Sequence, residues 1–324
     1  MRITLLLTLA SAALAAQARG DDYQIAVIPM GTTHEYWKSI EAGAMKAKLE
    51  LAAAGTPVTI IWKGPLREDD REQQIQVVEN FVGRKISAIV LAPLDCRALR
   101  APVEDAVNAG IPVVIVDSPL LSSAPVSTIS TDNFKGGELG GRRLGNLLGG
   151  RGRVVMLRCQ AGSASSDARE AGFLAVMKAE FPGIELLSTD QYGGVTTETA
   201  FRAAQNLFNR FGAKMDGIFA SNESTANGVL LALREAGLAG KVRFVAFDVN
   251  DHLVEALIRG DVHGLVAQDP VKMGYLGVLT AVAALRHEKV AASVDTGVLI
   301  VTRENMDEPA VAALLHPPLA QYLK

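Results

Sequence analysis

The chain is short of cysteine, short of aromatic residues and without surplus charge of either sign. Only Cys96 and Cys159 occur in 324 residues. Two cysteines cannot make a disulfide framework, and a chain this long buries enough surface to need none. They are read as free thiols, with a bridge between them as the alternative. The formal net charge is −3 with both signs interspersed, which leaves no electrostatic footprint for nucleic acid and no polybasic membrane patch. The five histidines, His34, His252, His263, His287 and His316, are scattered without metal-ligand spacing. Neither a G-x-x-x-x-G-K-[ST] phosphate loop nor a G-x-S-x-G nucleophile turn is present. Gly136-Gly-Glu-Leu-Gly140-Gly141 lacks dinucleotide-loop order and is expected inside a helix, where its glycines permit close packing. No metal, no cofactor and no catalytic residue is therefore expected.

Acidic residues are also missing from the start of the chain until Asp21. Arg2, the apolar run opening with Ile3 to Leu9, and the Ala16-Gln17-Ala18 triplet have the order of a secretory signal peptide cleaved near Ala18. Gln17, Arg19 and Gly20 interrupt the run before the ~20 apolar residues of a membrane span. Nor does a cysteine follow for lipid anchoring. The mature protein is expected to be exported and soluble, with a length suited to roughly two domains.

Short apolar runs alternate with helical patterns along the remainder. Ile25–Ile28, Val58–Trp62, Ala88–Ala92 and Val113–Val116 form one set; Val154–Leu157, Ile184–Leu187, Gly217–Ala220, Val242–Phe247 and Gly264–Ala267 form a second. They are near-continuous Val, Ile and Leu, as parallel strands covered on both faces should be. Between them, Trp37, Ile40, Ala44, Ala47 and Leu51 keep the spacing of one helical face, as do Ile75, Val78 and Val82, and Leu230, Leu233 and Ala236. Strand–helix repetition of this kind predicts α/β architecture with doubly wound parallel sheets. There are too many strands for one compact sheet, and the divide is placed near Ser127–Asp132.

Polar side chains begin where the strands stop: Asp117, Gln160, Ser221-Asn222-Glu223, Asp248 and Gln268-Asp269. Open α/β sheets bind ligands at those carboxyl ends. Any one of these residues could simply cap the following helix, but the pattern recurs in both halves. Carboxylates, amides and the Arg fork suit a polyol's hydroxyls. Gly31-Thr-Thr-His34-Glu-Tyr36-Trp37 adds two adjacent aromatics at the first strand end. They either form a platform for a sugar's C–H face or pin the helix to the sheet.

The segment Gly31–Ala44 resembles the first strand–helix unit of the ribose-type periplasmic binding proteins. Ile111–Asp117, Thr131-Asp132-Asn133, Ser165–Phe173 with Arg169, Ala220–Glu223, Val245–Asp248 and Val266–Pro270 are similar, in order, to further motifs of that family. The resemblance covers essentially the whole mature chain. It implies the type I periplasmic binding protein fold, two doubly wound parallel-sheet lobes joined by a multi-crossover hinge. Residues 23–131 with about 269–293 would form the N-terminal lobe, and 132–268 with about 294–324 the C-terminal lobe. It further implies a periplasmic, monomeric protein that captures a monosaccharide or related polyol and delivers it to an ABC transporter permease. A protein docking on a membrane chemoreceptor or histidine kinase would have the same cleft; a transcriptional regulator would need a helix-turn-helix where the signal peptide stands. Carried over by position, Tyr36 and Trp37 would flank the sugar ring, with Asp117, Arg169, Asn222, Asp248 and Gln268 on its hydroxyls. His34 stands where the family often has Asn, and Ser118 where it commonly has Arg. Tyr192 is the candidate for the second lobe's aromatic, and Trp62 and Lys63 for a rim extension.

Overall fold

The computed structural model describes residues 23–323; the expected signal peptide and its cleavage site lie outside them. Two six-stranded sheets carry the fold. The first takes β1 (Tyr23–Ile28), β2 (Val58–Trp62), β3 (Ala88–Leu91), β4 (Val113–Val116), β5 (Ser127–Ser130) and β11 (Ser293–Asp295), in the order β11-β5-β4-β3-β1-β2. The second takes β6 (Gly152–Arg158), β7 (Ile184–Tyr192), β8 (Gly217–Ala220), β9 (Arg243–Phe247), β10 (Gly264–Gln268) and β12 (Val298–Val301), in the order β12-β10-β9-β8-β6-β7. The observed pairings are parallel except β10 with β12. Helices intervene: α1 (Glu35–Ala53), α2 (Arg71–Gly83), α3 (Arg100–Asn108), α4 (Asn133–Leu147), α5 (Ala164–Glu180), α6 (Thr197–Phe211), α7 (Glu223–Glu235), α8 (Asp251–Arg259), α9 (Pro270–Leu285) and α10 (Pro309–Leu315).

The near-continuous apolar strands are explained by their two buried faces. In β1, Ile25 and Val27 join one core cluster while Ala26 and Ile28 join the one on the opposite face, as alternation along a strand requires. The strands not read from the sequence are β5, β11 and β12. Ser-Thr-Ile-Ser at β5 alternates polar and apolar, with Ser127 and Ile129 buried, and β11 is three residues long. The chain passes between sheets after β5, after β10 and after β11, so the third passage comes after Asp295.

Helix α1 buries the expected face, Trp37, Ile40, Ala44 and Ala47. Helix α2 is rotated relative to expectation and buries Gln74, Val77, Val78 and Phe81. The cause is Gln74, whose amide donates to the carbonyls of Pro29 and Ala92 and accepts from the N–H of Leu94. One buried polar side chain thus ties together the chain leaving β1 and β3, on either side of the point where strand order reverses.

Two helix seams fix where the strand-end side chains stand. A methyl group at Gly137 of α4 would run into the carbonyl oxygen of Arg169 on α5, and one at Gly172 into that of Phe134. Gly43 of α1 and Gly274 of α9 stand in the same reciprocal relation to the carbonyls of Val271 and Ile40. The expected close packing of the glycine-rich α4 is what the structure shows.

Gly137→Ala or Gly274→Ala should destabilise the protein by about 1–3 kcal/mol or more, as over-packing does. Gly83→Ala, with open space around it, should be neutral or stabilising by roughly 0.5–1 kcal/mol. Urea unfolding of the three variants checks the contrast.

Candidate functional site

The carboxyl ends of both sheets face each other across one cavity of about 40 Å³. All eight residues singled out in the sequence, His34, Tyr36, Trp37, Asp117, Arg169, Asn222, Asp248 and Gln268, line it. Four hydrogen bonds join the lobes around it. The Tyr36 N–H donates to Glu223 Oε2 (3.3 Å), the Gln160 amide to the Glu68 carbonyl (3.0 Å), the Ser165 N–H to Ser118 Oγ (3.2 Å) and the Cys96 N–H to the Gly162 carbonyl (3.2 Å). The lobes are closed on one another.

Asp117 and Asp248 hold equivalent places. Each follows its strand, β4 or β9, with φ of 65° and 72°, the left-handed region that costs most L-residues about 1–2 kcal/mol. Each backbone N–H is donated to the neighbouring strand, at Ile129 and Val266 respectively. The turn so made places both carboxylates at the cavity. Asp117 Oδ1 accepts from the Tyr36 hydroxyl (2.6 Å); Asp248 accepts from the Gln268 amide (2.6 Å) and the Glu223 N–H (3.0 Å).

Arg169 is pinned on three sides. Its Nε donates to Asn133 Oδ1 (2.8 Å), its Nη1 to the Ser221 carbonyl (3.2 Å), and its guanidinium lies 3.8 Å over the Phe247 ring with Asp248 at 3.6 Å. Gln268, buried at the end of β10, leaves its Oε1 with no hydrogen-bond partner. An unpaired buried acceptor costs about 1–3 kcal/mol. Asn222 does two things. Its Oδ1 caps α7, accepting from the Thr225 N–H and hydroxyl, while the residue still lines the cavity.

The first aromatic pair divides its labour. Tyr36 reaches Asp117, whereas Trp37 is buried in the first lobe's core, edge-on to Tyr36 with ring centres 5.1 Å apart. Its indole N–H donates to Glu68 Oε1 (2.6 Å), which also pairs with His34 Nδ1 (2.7 Å). Glu68 carries no sequence signal of this role. Among the cavity-lining residues each lobe thus supplies two carboxylates and one cationic group: Glu68, Asp117 and His34 from one, Glu223, Asp248 and Arg169 from the other.

Burial dominates their titration. It pushes Asp117 up to about 6, against Arg169 and the Tyr36 hydroxyl, and Glu223 up to about 7, against Asn250 and His34. Asp248 is raised by the same cause. Burial disfavours charge on His34, but Glu68, with Glu223 and Asp248, outweighs it and lifts the ring to about 9.

A cavity built from both lobes' strand ends, at the points of strand-order reversal, is paired with matches over nearly the whole chain. Residues 25–289 fit the family described as periplasmic binding protein domain. This chain belongs to that family. A D-ribose/D-allose-binding protein of Pseudomonas aeruginosa is 30% identical over 86% of this chain and 88% of its own. The solved carbohydrate-transporter solute-binding protein of Agrobacterium radiobacter, in complex with D-arabinose, matches with TM-score 0.86 and 35% identity, covering 91% of this chain and 99% of that one. An ABC transporter solute-binding protein of Agrobacterium vitis with bound D-fucose matches with TM-score 0.86 and 34% identity, covering 90% and 100%. The motif resemblance is borne out, and so is the type I periplasmic binding protein fold.

Within this periplasmic binding protein the minor candidates fall elsewhere. Tyr192 is exposed at the edge of the second sheet with Arg158 over its ring; it ends β7, away from the switch point. Trp62 packs against the first lobe's core, and Lys63 faces a separate surface pocket. Cys96 and Cys159 are both free and buried. A larger groove of about 700 Å³ runs beside the cavity under the segment Ala310–Ala320 and shares Tyr36, Asp248 and Gln268 with it. Its far wall is largely apolar and brings no comparable set of polar groups.

A histidine whose folded pKa is raised binds its proton more tightly than the unfolded chain does. Its contribution is full below 6.5 and is lost as pH rises through about 9. The ligand-free protein should therefore lose several degrees of melting temperature between pH 7 and 9, and His34→Gln should flatten that slope. Calorimetric scans across the interval test it.

Proposed function

We propose that this chain captures a monosaccharide or related polyol in the interlobe cavity and delivers it to an ABC importer. The observation that carries the reading is the cavity itself: buried carboxylates, a pinned guanidinium and the unpartnered Gln268 Oε1, contributed by both lobes. These groups now hydrogen-bond one another, Tyr36 to Asp117 and Gln268 to Asp248. Sugar hydroxyls, which donate and accept at once, take up those positions, and one of them donates to Gln268 Oε1. Tyr36 offers a ring face beside them; Trp37, being core, supports Tyr36 from behind.

Only contacts made in the closed state favour closure, and a ligand held between Asp117 and Asp248 makes them with both lobes. A micromolar affinity corresponds to about −8 kcal/mol, and charge-assisted hydrogen bonds at roughly 1.5–3 kcal/mol each suffice after closure costs. The partner is a membrane permease that reads the closed form, and the working place is the periplasm, after removal of residues 1–18. A monomer fits a site made wholly within one chain. Relatives bearing carbohydrate-transporter names support the importer over a chemoreceptor.

A thermal-shift screen of the mature protein against D-arabinose, D-fucose, D-ribose, D-allose and xylitol should raise the melting temperature with at least one of them. With the responding sugar, Arg169→Ala and Asp248→Ala should each weaken binding tenfold or more in calorimetry while leaving the fold intact. No response to any polyol, or unchanged affinity in both variants, would remove the assignment.

A further inference from the structure

Glu68 lies in the loop between β2 and α2, inside the charged run Arg67-Glu-Asp-Asp-Arg71. Its neighbours serve the surface. Asp69 pairs with Arg67, and Asp70 caps α2 by accepting from the Gln73 N–H. Glu68 alone turns inward and is 8% exposed. A methyl group at Gly31 would stand 2.9 Å from its Cγ, so the side chain is wedged against the chain leaving β1. One oxygen accepts from both the Trp37 indole and His34 Nδ1. The same residue's backbone carbonyl accepts from Gln160 of the other lobe.

With Nδ1 committed to the carboxylate, Nε2 is the polar atom that His34 has left, and the ring lines the cavity. The charged groups acting on the ring are Glu68 from its own lobe, with Glu223 at the start of α7 and Asp248 after β9 from the other. Asp117 and Arg169 complete the charges among the residues lining the cavity, and Arg169 is the second cation of that set. That guanidinium is already bound to Asn133 and Ser221.

We propose that Glu68 is a positioning residue for ligand capture: it holds His34 as a charged donor whose Nε2–H meets an oxygen lone pair of the sugar, and its carbonyl ties that donor to lobe closure. The inference rests on the interlobe cavity being the sugar site. It adds the chemical demand that the bound sugar present an acceptor oxygen, ring or hydroxyl, to His34.

Glu68→Gln keeps the shape and an acceptor oxygen but removes the charge. In the ligand-free protein, the His34 ring signals followed by NMR should titrate near pH 9 in the wild type and at least one unit lower in Glu68→Gln. Calorimetry with D-arabinose at pH 6 and pH 8.5 should show the wild-type-to-variant affinity ratio growing about threefold or more at the higher pH. Glu68 also raises Asp117, and His34 lowers Glu223, so the same pair is compared with His34→Gln present in both proteins, where the growth should disappear. An unmoved His34 midpoint, or a ratio independent of pH, would overturn the proposal. Failure of the wild type to bind D-arabinose or any other sugar would count against the sugar reading instead, and the ligand-free titration would then decide the role of Glu68 alone.

Discussion

Four carboxylates buried around one cavity are the constraint that shapes this molecule. Removing an ion from water costs several kcal/mol even after relaxation, and Glu68, Asp117, Glu223 and Asp248 are each less than a tenth exposed. Each is held by specific donors: the Trp37 indole and His34 on Glu68, the Tyr36 hydroxyl on Asp117, Asn250 on Glu223, and Gln268 with Arg169 on Asp248. Two of the four also carry a left-handed backbone. Strain and buried charge are gathered at one place and compensated by positioned partners, the pattern on which the proposed binding site rests.

The scaffold that holds those partners is made twice. In each lobe a pair of helices packs so closely that reciprocal glycines face the opposing carbonyls. One seam, between α4 and α5, bears on the carbonyl of Arg169 itself. The other, between α1 and α9, joins the helix that presents Tyr36 to the helix that comes after Gln268. Interiors packed at crystal-like density transmit displacement with little loss, so a shift at either seam moves a cavity-lining side chain. The glycine-rich stretch Gly136–Gly141 thus bears on the cavity through the position of Arg169.

The sequence made most of this architecture legible because parallel strands buried on both faces leave an unbroken apolar signature, and the strand ends then index the site. The features that stayed hidden are those a linear pattern cannot carry. Ser127–Ser130 is a strand only because β4 and β11 lie beside it. Gln74 reads as a surface residue until the β1 and β3 exits converge on it. Glu68 sits among four other charged residues with nothing in composition to set it apart; the inward turn of one loop decides its role. Asn222 shows the reverse difficulty. A polar residue after a strand can cap a helix or meet a ligand, and here the cap takes its oxygen while the residue still lines the cavity.

The distribution of charge between the lobes gives closure its logic. Each half-site holds two acidic groups and one cationic group, so bringing the lobes together sets acid against acid. The cations act across the gap. His34 of the first lobe draws Glu223 down, and Arg169 of the second lobe draws down Asp117. Each cation is also paired at home, His34 with Glu68 and Arg169 with Asp248. In the closed arrangement the two ion pairs thus belong to a shared network, while Asp248 of one lobe pushes Asp117 of the other up. A ligand dense in hydroxyl donors, set between those two aspartates, would supply hydrogen bonds to both. Since a ligand shifts a conformational equilibrium only through interactions that differ between the two states, acids that face each other only when the lobes meet are where the proposed ligand would favour the closed form.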